Sequence, residues 1–202
     1  MLNVSLKKFI SLHKCKKNQI IYFSKKTDGK TEIINLINNF LTDRNSFVFE
    51  SVEKGKIKGR YTIIGLNPDK IWDINKNIVT VSFNGIKKKI KTNPLFFLNK
   101  LISKFKKKLP KKLPSMSSML VGYFGYDAIR YIERIPNNCV DDIKIPDVRL
   151  MRPKNLIIYD DLKKKIFYLA NVYAENKISD YEGEYIKIKR ELDVFSSYEH
   201  LY

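Results

Sequence analysis

The chain has 202 residues, 44% hydrophobic and 12% aromatic, enough apolar material for one substantial domain or two small ones, which excludes a disordered tail. Its formal net charge is +18, from 39 Lys and Arg against 21 Asp and Glu, and an excess of that size brings nucleic acid, an anionic membrane or an acidic partner into view. Only 7 of those 39 are Arg, the residue suited to bidentate phosphate and base contacts; the chain is also rich in Asn and Ile, which share A/T-rich codons with Lys, so codon bias rather than nucleic-acid binding is the expected source of the charge.

In chain order, Phe9 to Leu12 reads as a helical turn or a short edge segment and Ile20 to Ser24 as a short strand. Asp28-Gly29 is a turn signal, after which Thr31 is placed to cap a helix whose apolar face is Ile33, Ile34, Leu36, Ile37, Phe40 and Leu41. From Ser46 the residues alternate: Phe47, Phe49 and Ser51 one way, Val48, Glu50 and Val52 the other. Glu53 to Gly59 is a polar connection, and Arg60 to Leu66 a second strand, β-branched and aromatic. Glu50 and Ser51 interrupt an otherwise apolar strand, so one face there is wet or meets a polar ligand.

Further strands are expected at Lys70 to Ile74, which holds Trp72, at Ile78 to Phe83 and at Ile86 to Lys91. Asn84-Gly85 between the last two is a strong hairpin signal, and Lys87, Lys88 and Lys89 suit an exposed edge. Thr92-Asn93-Pro94 opens a helix lined on one side by Leu95, Phe97, Leu98, Leu101, Ile102 and Phe105. The basic run Lys104 to Lys112 reads as its solvated C-terminal end; it lacks the interleaved aromatic residues of a single-strand nucleic-acid binder.

Leu113 to Ser118 is a linker. The glycines of Met119 to Tyr126 point to close backbone approach, and no Gly-Lys-Ser/Thr follows to make a phosphate loop. Asp127 to Glu133 reads as a short helix capped by Asp127, with a local Asp127–Arg130 ion pair. Pro136 to Ile145 is an irregular loop leading to Val148 to Met151. Asn155 to Tyr159 and Ile166 to Tyr173 form a hairpin turning through Asp160 to Lys165. The last helix runs from a Ser179 cap to Tyr198, with Tyr181, Tyr185, Ile188, Leu192 and Phe195 on one face.

Cys15 and Cys139 are too few and too far apart for a metal site and suit free thiols in a reducing compartment. Lys7, Lys8 and His13 break any secretory apolar region, and no apolar run approaches the ~20 residues of a membrane helix. A soluble, cytoplasmic protein is expected. Neither His13 nor His200 has a partner suited to acid–base or nucleophilic catalysis.

Four stretches in order carry a family resemblance: Val48-Phe49-Glu50-Ser51; Gly59-Arg60-Tyr61-Thr62-Ile63-Ile64-Gly65; Gly122-Tyr123-Phe124-Gly125-Tyr126-Asp127; and Ile145-Pro146-Asp147 with the strand pair after it. From about Phe9 onward the chain resembles the N-terminal region of anthranilate synthase component I, whose members carry Leu-Leu-Glu-Ser and then Gly-Arg-Tyr-Ser-Phe-Ile-Gly. The resemblance implies an α+β fold, mainly antiparallel with three to four helices, forming half of a sandwich completed by a C-terminal part. It implies a single domain over residues 1–202 without the chorismate-binding catalytic domain, and hence no catalytic residue, no metal ligand and no cofactor in this chain. The Mg²⁺ of the family belongs to that absent domain.

The resemblance further implies that Glu50 and Ser51 bind L-tryptophan as feedback inhibitor, with Phe49, Arg60 and Tyr61 framing the site. A carboxylate there can pair with an ammonium group, and a hydroxyl or backbone amide can hold a carboxylate. Phe49 stands where the family has leucine, a bulkier wall to the pocket. The implied enzyme is a lyase of tryptophan biosynthesis, converting chorismate and glutamine to anthranilate, pyruvate and glutamate. Its implied partners are a glutamine amidotransferase subunit (component II) and, where separately encoded, a chorismate-binding half. Aminodeoxychorismate synthase component I, a basic nucleic-acid-binding module and an inactive remnant are the alternative readings. A chain of this extent is expected to leave strand edges and apolar surface uncovered.

Overall fold

A computed structural model describes residues 2–27, 30–41, 44–51, 59–105, 109–136, 138 and 140–197. The expected Asp28–Gly29 turn, residues 53–58 of the polar connection, residues 106–108 of the basic run, Cys139 and His200 lie outside them. The elements run α1 (Leu6–Lys14), β1 (Gln19–Lys26), α2 (Lys30–Phe40), β2 (Phe47–Glu50), β3 (Tyr61–Asn75), β4 (Ile78–Phe83), β5 (Ile86–Lys91), α3 (Pro94–Phe105), β6 (Val121–Phe124), a 3₁₀ helix (Tyr126–Tyr131), β7 (Val148–Asp160), β8 (Lys165–Val172) and α4 (Tyr181–Ser197). The strands form one sheet in the order β1-β8-β7-β3-β4-β5, with β2 paired to β3 and β6 to β7. Their registered pairs are antiparallel. This is the α+β, mainly antiparallel class expected.

The chain divides into two compact units, Met1–Asn67 with Lys111–Ser118 and Lys154–Tyr202, and Pro68–Pro110 with Met119–Pro153. In the first, α1, α2 and α4 share a core with one side of the strands: Phe9, Leu36, Ile188 and Leu192 pack with Ile21, Ile64, Ile157, Ile166 and Tyr168, all at most 1% exposed. The alternate residues Leu156, Ile158, Phe167 and Leu169 are buried as well. Burial on both sides explains why Leu156–Tyr159 and Ile166–Ala170 read as continuous apolar runs. Each such side chain contributes about 1.5–3 kcal/mol by leaving water.

In the second unit Trp72, Ile74, Val79, Leu98, Val148 and Leu150 form the core. Asn84 (φ 49°) and Gly85 (φ 78°) make the expected two-residue hairpin turn. Asn93 Oδ1 accepts from the Phe96 amide at 3.0 Å, so Asn93 caps α3 and Pro94 takes its first position, where no amide is needed. The expected α3 face is only partly met: Leu98 is buried and Phe97 and Leu101 pack on the core, while Leu95 and Ile102 are exposed. Gly122 shows the close approach its pattern announced: a Cβ there would lie 1.8 Å from the Arg149 carbonyl oxygen.

Several expectations need correction. The strands expected at Arg60–Leu66 and Lys70–Ile74 are one strand, β3. It pairs with β2 up to Gly65 and with β4 from Lys70, so Pro68 falls between these two ladders. The strand expected at Asn155–Tyr159 reaches back to Val148 and forms the long β7. The α1 region is a full helix of nine residues, and α2 begins at Lys30, so Thr31 lies inside it. Asp180, not Ser179, caps α4: its Oδ1 accepts from the Gly183 amide at 2.9 Å. Asp127 sits inside the 3₁₀ helix, whose cap position is Gly125; its carboxylate takes the expected bond from Arg130 Nε, at 2.8 Å.

Candidate functional site

The site is built from the β2–β3 hairpin. Register sets Phe47 against Gly65, Val48 against Ile64, Phe49 against Ile63 and Glu50 against Thr62. Cross-strand partners share a side of the sheet. Val48 and Ile64 belong to the helix-covered core, so Glu50 and Thr62 lie on that side. Phe47, Phe49, Ile63 and Ser51 lie on the other. The period of two that the sequence displays therefore parts Glu50 and Ser51 to opposite sides of β2. Both are exposed, at the strand's last position and the one after it. A single ligand meets both side chains only off the end of the strand.

That end is closed tightly. The Ser51 amide donates to the Tyr61 carbonyl at 3.2 Å, which occupies the backbone donor and leaves the Ser51 hydroxyl as the group to meet a ligand. Opposite, Gly59 is required: a Cβ there would lie 1.6 Å from the Ser51 carbonyl oxygen. Phe49 is 46% exposed and leans on Phe47, ring centroids 4.9 Å apart, so the β2 side carrying Ser51 is aromatic and open to solvent. Among the described residues the outer edge of β2 pairs with no strand.

Arg60 and Tyr61 frame the other side of the closure. The Arg60 guanidinium lies 4.7 Å from the Tyr61 ring centroid, a cation–π geometry. It also donates from Nε and Nη2 to the two Asp160 oxygens at 3.0 and 2.9 Å. The Arg60 carbonyl accepts from the Asp161 amide at 2.8 Å. Asp160, at the end of β7, is 1% exposed and takes a further bond from the Lys163 amide at 3.2 Å. Burial alone raises the Asp160 carboxyl, but the Arg60 guanidinium and the Lys163 amide outweigh it and hold it below the usual carboxylate range. Asp160 in return raises Arg60.

Asp160 is the residue that sequence reading missed; it stood as a turn residue before Lys165. The available signal was an acid ending an apolar run, Leu156 to Tyr159, at a position the strand would bury. His13 proves buried in the packing of α1 on α4, its Nδ1 3.3 Å from the Tyr181 hydroxyl. Among the described residues no three His, Cys, Asp or Glu come together as a metal site. No helix among them is long and apolar enough to cross a membrane.

No family model matches the chain. Over 146 residues it is 35% identical to anthranilate synthase component 1 of Acetivibrio thermocellus, covering 72% of this chain and 30% of that protein. The protein of the same name from Acinetobacter calcoaceticus is 33% identical over 155 residues, 73% of this chain and 30% of its own length. That of Cereibacter sphaeroides is 29% identical over 171 residues, 82% of this chain and 34% of its own length. The chain thus spans about a third of the curated relatives it matches. The crystal structure of anthranilate synthase component I from Streptococcus pneumoniae TIGR4 superposes with a TM-score of 0.54 at 23% identity, over 72% of this chain and 31% of that one. That likeness shows a shared fold.

Proposed function

The chain belongs to the anthranilate synthase component 1 family over the stretch it spans, and on that premise we propose that it is the part of such an enzyme that binds L-tryptophan as feedback inhibitor. The assembled enzyme of this proposal makes anthranilate, pyruvate and glutamate from chorismate and glutamine, with a glutamine amidotransferase subunit as partner. Chorismate and Mg²⁺ chemistry then belongs to residues outside this chain.

One observation carries the tryptophan reading: β2 ends in an exposed carboxylate and an exposed hydroxyl on consecutive residues, off an edge flanked by exposed Phe49. An ammonium group suits Glu50, a carboxylate suits the Ser51 hydroxyl, and an indole suits the Phe47–Phe49 surface. The two side chains diverge, so the ligand backbone sits across the strand's end with its side chain turned to the aromatic side. Component 1 relatives at similar identity, in several organisms, support placing this chemistry in tryptophan biosynthesis.

Calorimetric titration with L-tryptophan tests it. The chain is expected to bind L-tryptophan, and Ser51→Phe to abolish binding while leaving the circular dichroism spectrum intact. No heat with the unaltered chain, or the same isotherm with Ser51→Phe, overturns the reading.

A further inference from the structure

We propose that Asp160 is a positioning residue for the ligand end of β2, acting through Arg60 and Tyr61. The inference rests on the reading of Glu50 and Ser51 as that end, and adds what holds it in place. The connection is unbroken. Asp160, 1% exposed, receives both arms of the Arg60 guanidinium. Arg60 is tied again by its carbonyl to the Asp161 amide and lies over the Tyr61 ring. The Tyr61 carbonyl takes the Ser51 amide. Ser51 is one residue beyond the last laddered pair, Glu50 with Thr62, so this bond is what keeps the strand's end from fraying. A frayed end would move the Ser51 hydroxyl away from the Glu50 carboxylate, and a ligand spanning the two would lose one of its contacts.

Asp160 suits the task because its geometry is determined from several directions. Two guanidinium bonds and the Lys163 amide engage both oxygens of a carboxylate that has almost no access to water. A bidentate fork fixes the plane of the guanidinium, which a single-point cation does not. The plane of Arg60 in turn is what lies on Tyr61.

Hydrogen exchange by mass spectrometry, on peptides covering Phe47–Ser51, tests this without any ligand. Asp160→Asn is expected to speed exchange of those amides about tenfold. It is also expected to weaken tryptophan binding by a similar factor. Asp69→Asn is the control: it breaks another bidentate acid–arginine pair, the more fully buried one with Arg152, elsewhere in the chain. It is expected to lower overall stability while leaving Phe47–Ser51 exchange within about twofold of the unaltered protein. Should Asp160→Asn fail to fold, Arg60→Lys serves, since it keeps a cation but loses the fork, and the same peptides are expected to exchange faster. Unchanged exchange in Asp160→Asn or in Arg60→Lys, or equal acceleration in Asp69→Asn, overturns the proposal. If the unaltered chain gives no tryptophan heat, the ligand reading fails while the exchange data still decide the positioning role.

Discussion

Phe47 fills the space that a side chain on Gly65 would need. The two face each other across the β2–β3 ladder, and a Cβ built on Gly65 would lie 2.0 Å from Phe47 Cε1 and 2.1 Å from Cζ. The glycine of the Gly59–Gly65 segment is thus explained by steric complementarity to a residue in the Glu-Ser strand. Two of the four stretches that carried the family resemblance are halves of one packing unit.

Gly65→Ala is therefore expected to push the Phe47 ring off Gly65 and onto Phe49, at a cost of about 1–3 kcal/mol typical of overpacking. Urea unfolding reads this as a lower midpoint at unchanged slope. The double variant Gly65→Ala/Phe47→Ala should recover part of the loss, because the Cβ then meets no ring. A double variant whose stability is merely the sum of the two single losses would refute the complementarity.

Arg152 and Asp69 pair with both side chains less than 9% exposed, and the Arg152 guanidinium lies 6.0 Å from the Trp72 ring centroid. Removing one partner leaves a buried charge without its counterion. Arg152→Met alone is expected to destabilise by about 3–5 kcal/mol. Arg152→Met with Asp69→Leu should be close to neutral, since it removes both desolvation penalties. The comparison of urea midpoints between single and double variants decides it.

Asp160 gives the acid limb of stability a specific origin. Its carboxyl is held below the usual range in the folded chain, so it binds a proton less readily there than in the unfolded chain, where its pKa is about 3.9. Its contribution is fully present above that value and is lost as pH falls through the lower folded value. Stability measured between pH 7 and 5 should be insensitive to this group, with the decline setting in below about pH 4. Asp160→Asn should flatten that part of the decline; an identical acid slope in the variant would assign it to other carboxylates.

Much of the fold was legible because its signals are local. The Asn84-Gly85 turn needs only residues that tolerate positive φ, and Asn93-Pro94 only a side-chain acceptor followed by a residue without an amide. The alternation through Phe47–Ser51 is a property of extended backbone. Elements merged or shifted where a neighbour intervened. Arg60–Leu66 and Lys70–Ile74 read as separate strands until the ladders on either side of Pro68 were known. Ser179 was the expected cap, and the helix start put Asp180 in that place.

By itself the amino-acid order determined the α+β class, the antiparallel hairpins, most helix positions and the family, because period, turn chemistry and motif spacing are written in consecutive residues. Only the tertiary structure decided which side of β2 meets the helix-covered core, that Gly65 yields its space to Phe47 and that Asp160 stands behind Arg60. The last pair is separated by 100 positions. No local pattern specifies such a meeting, since it depends on which strands become neighbours when the core is buried.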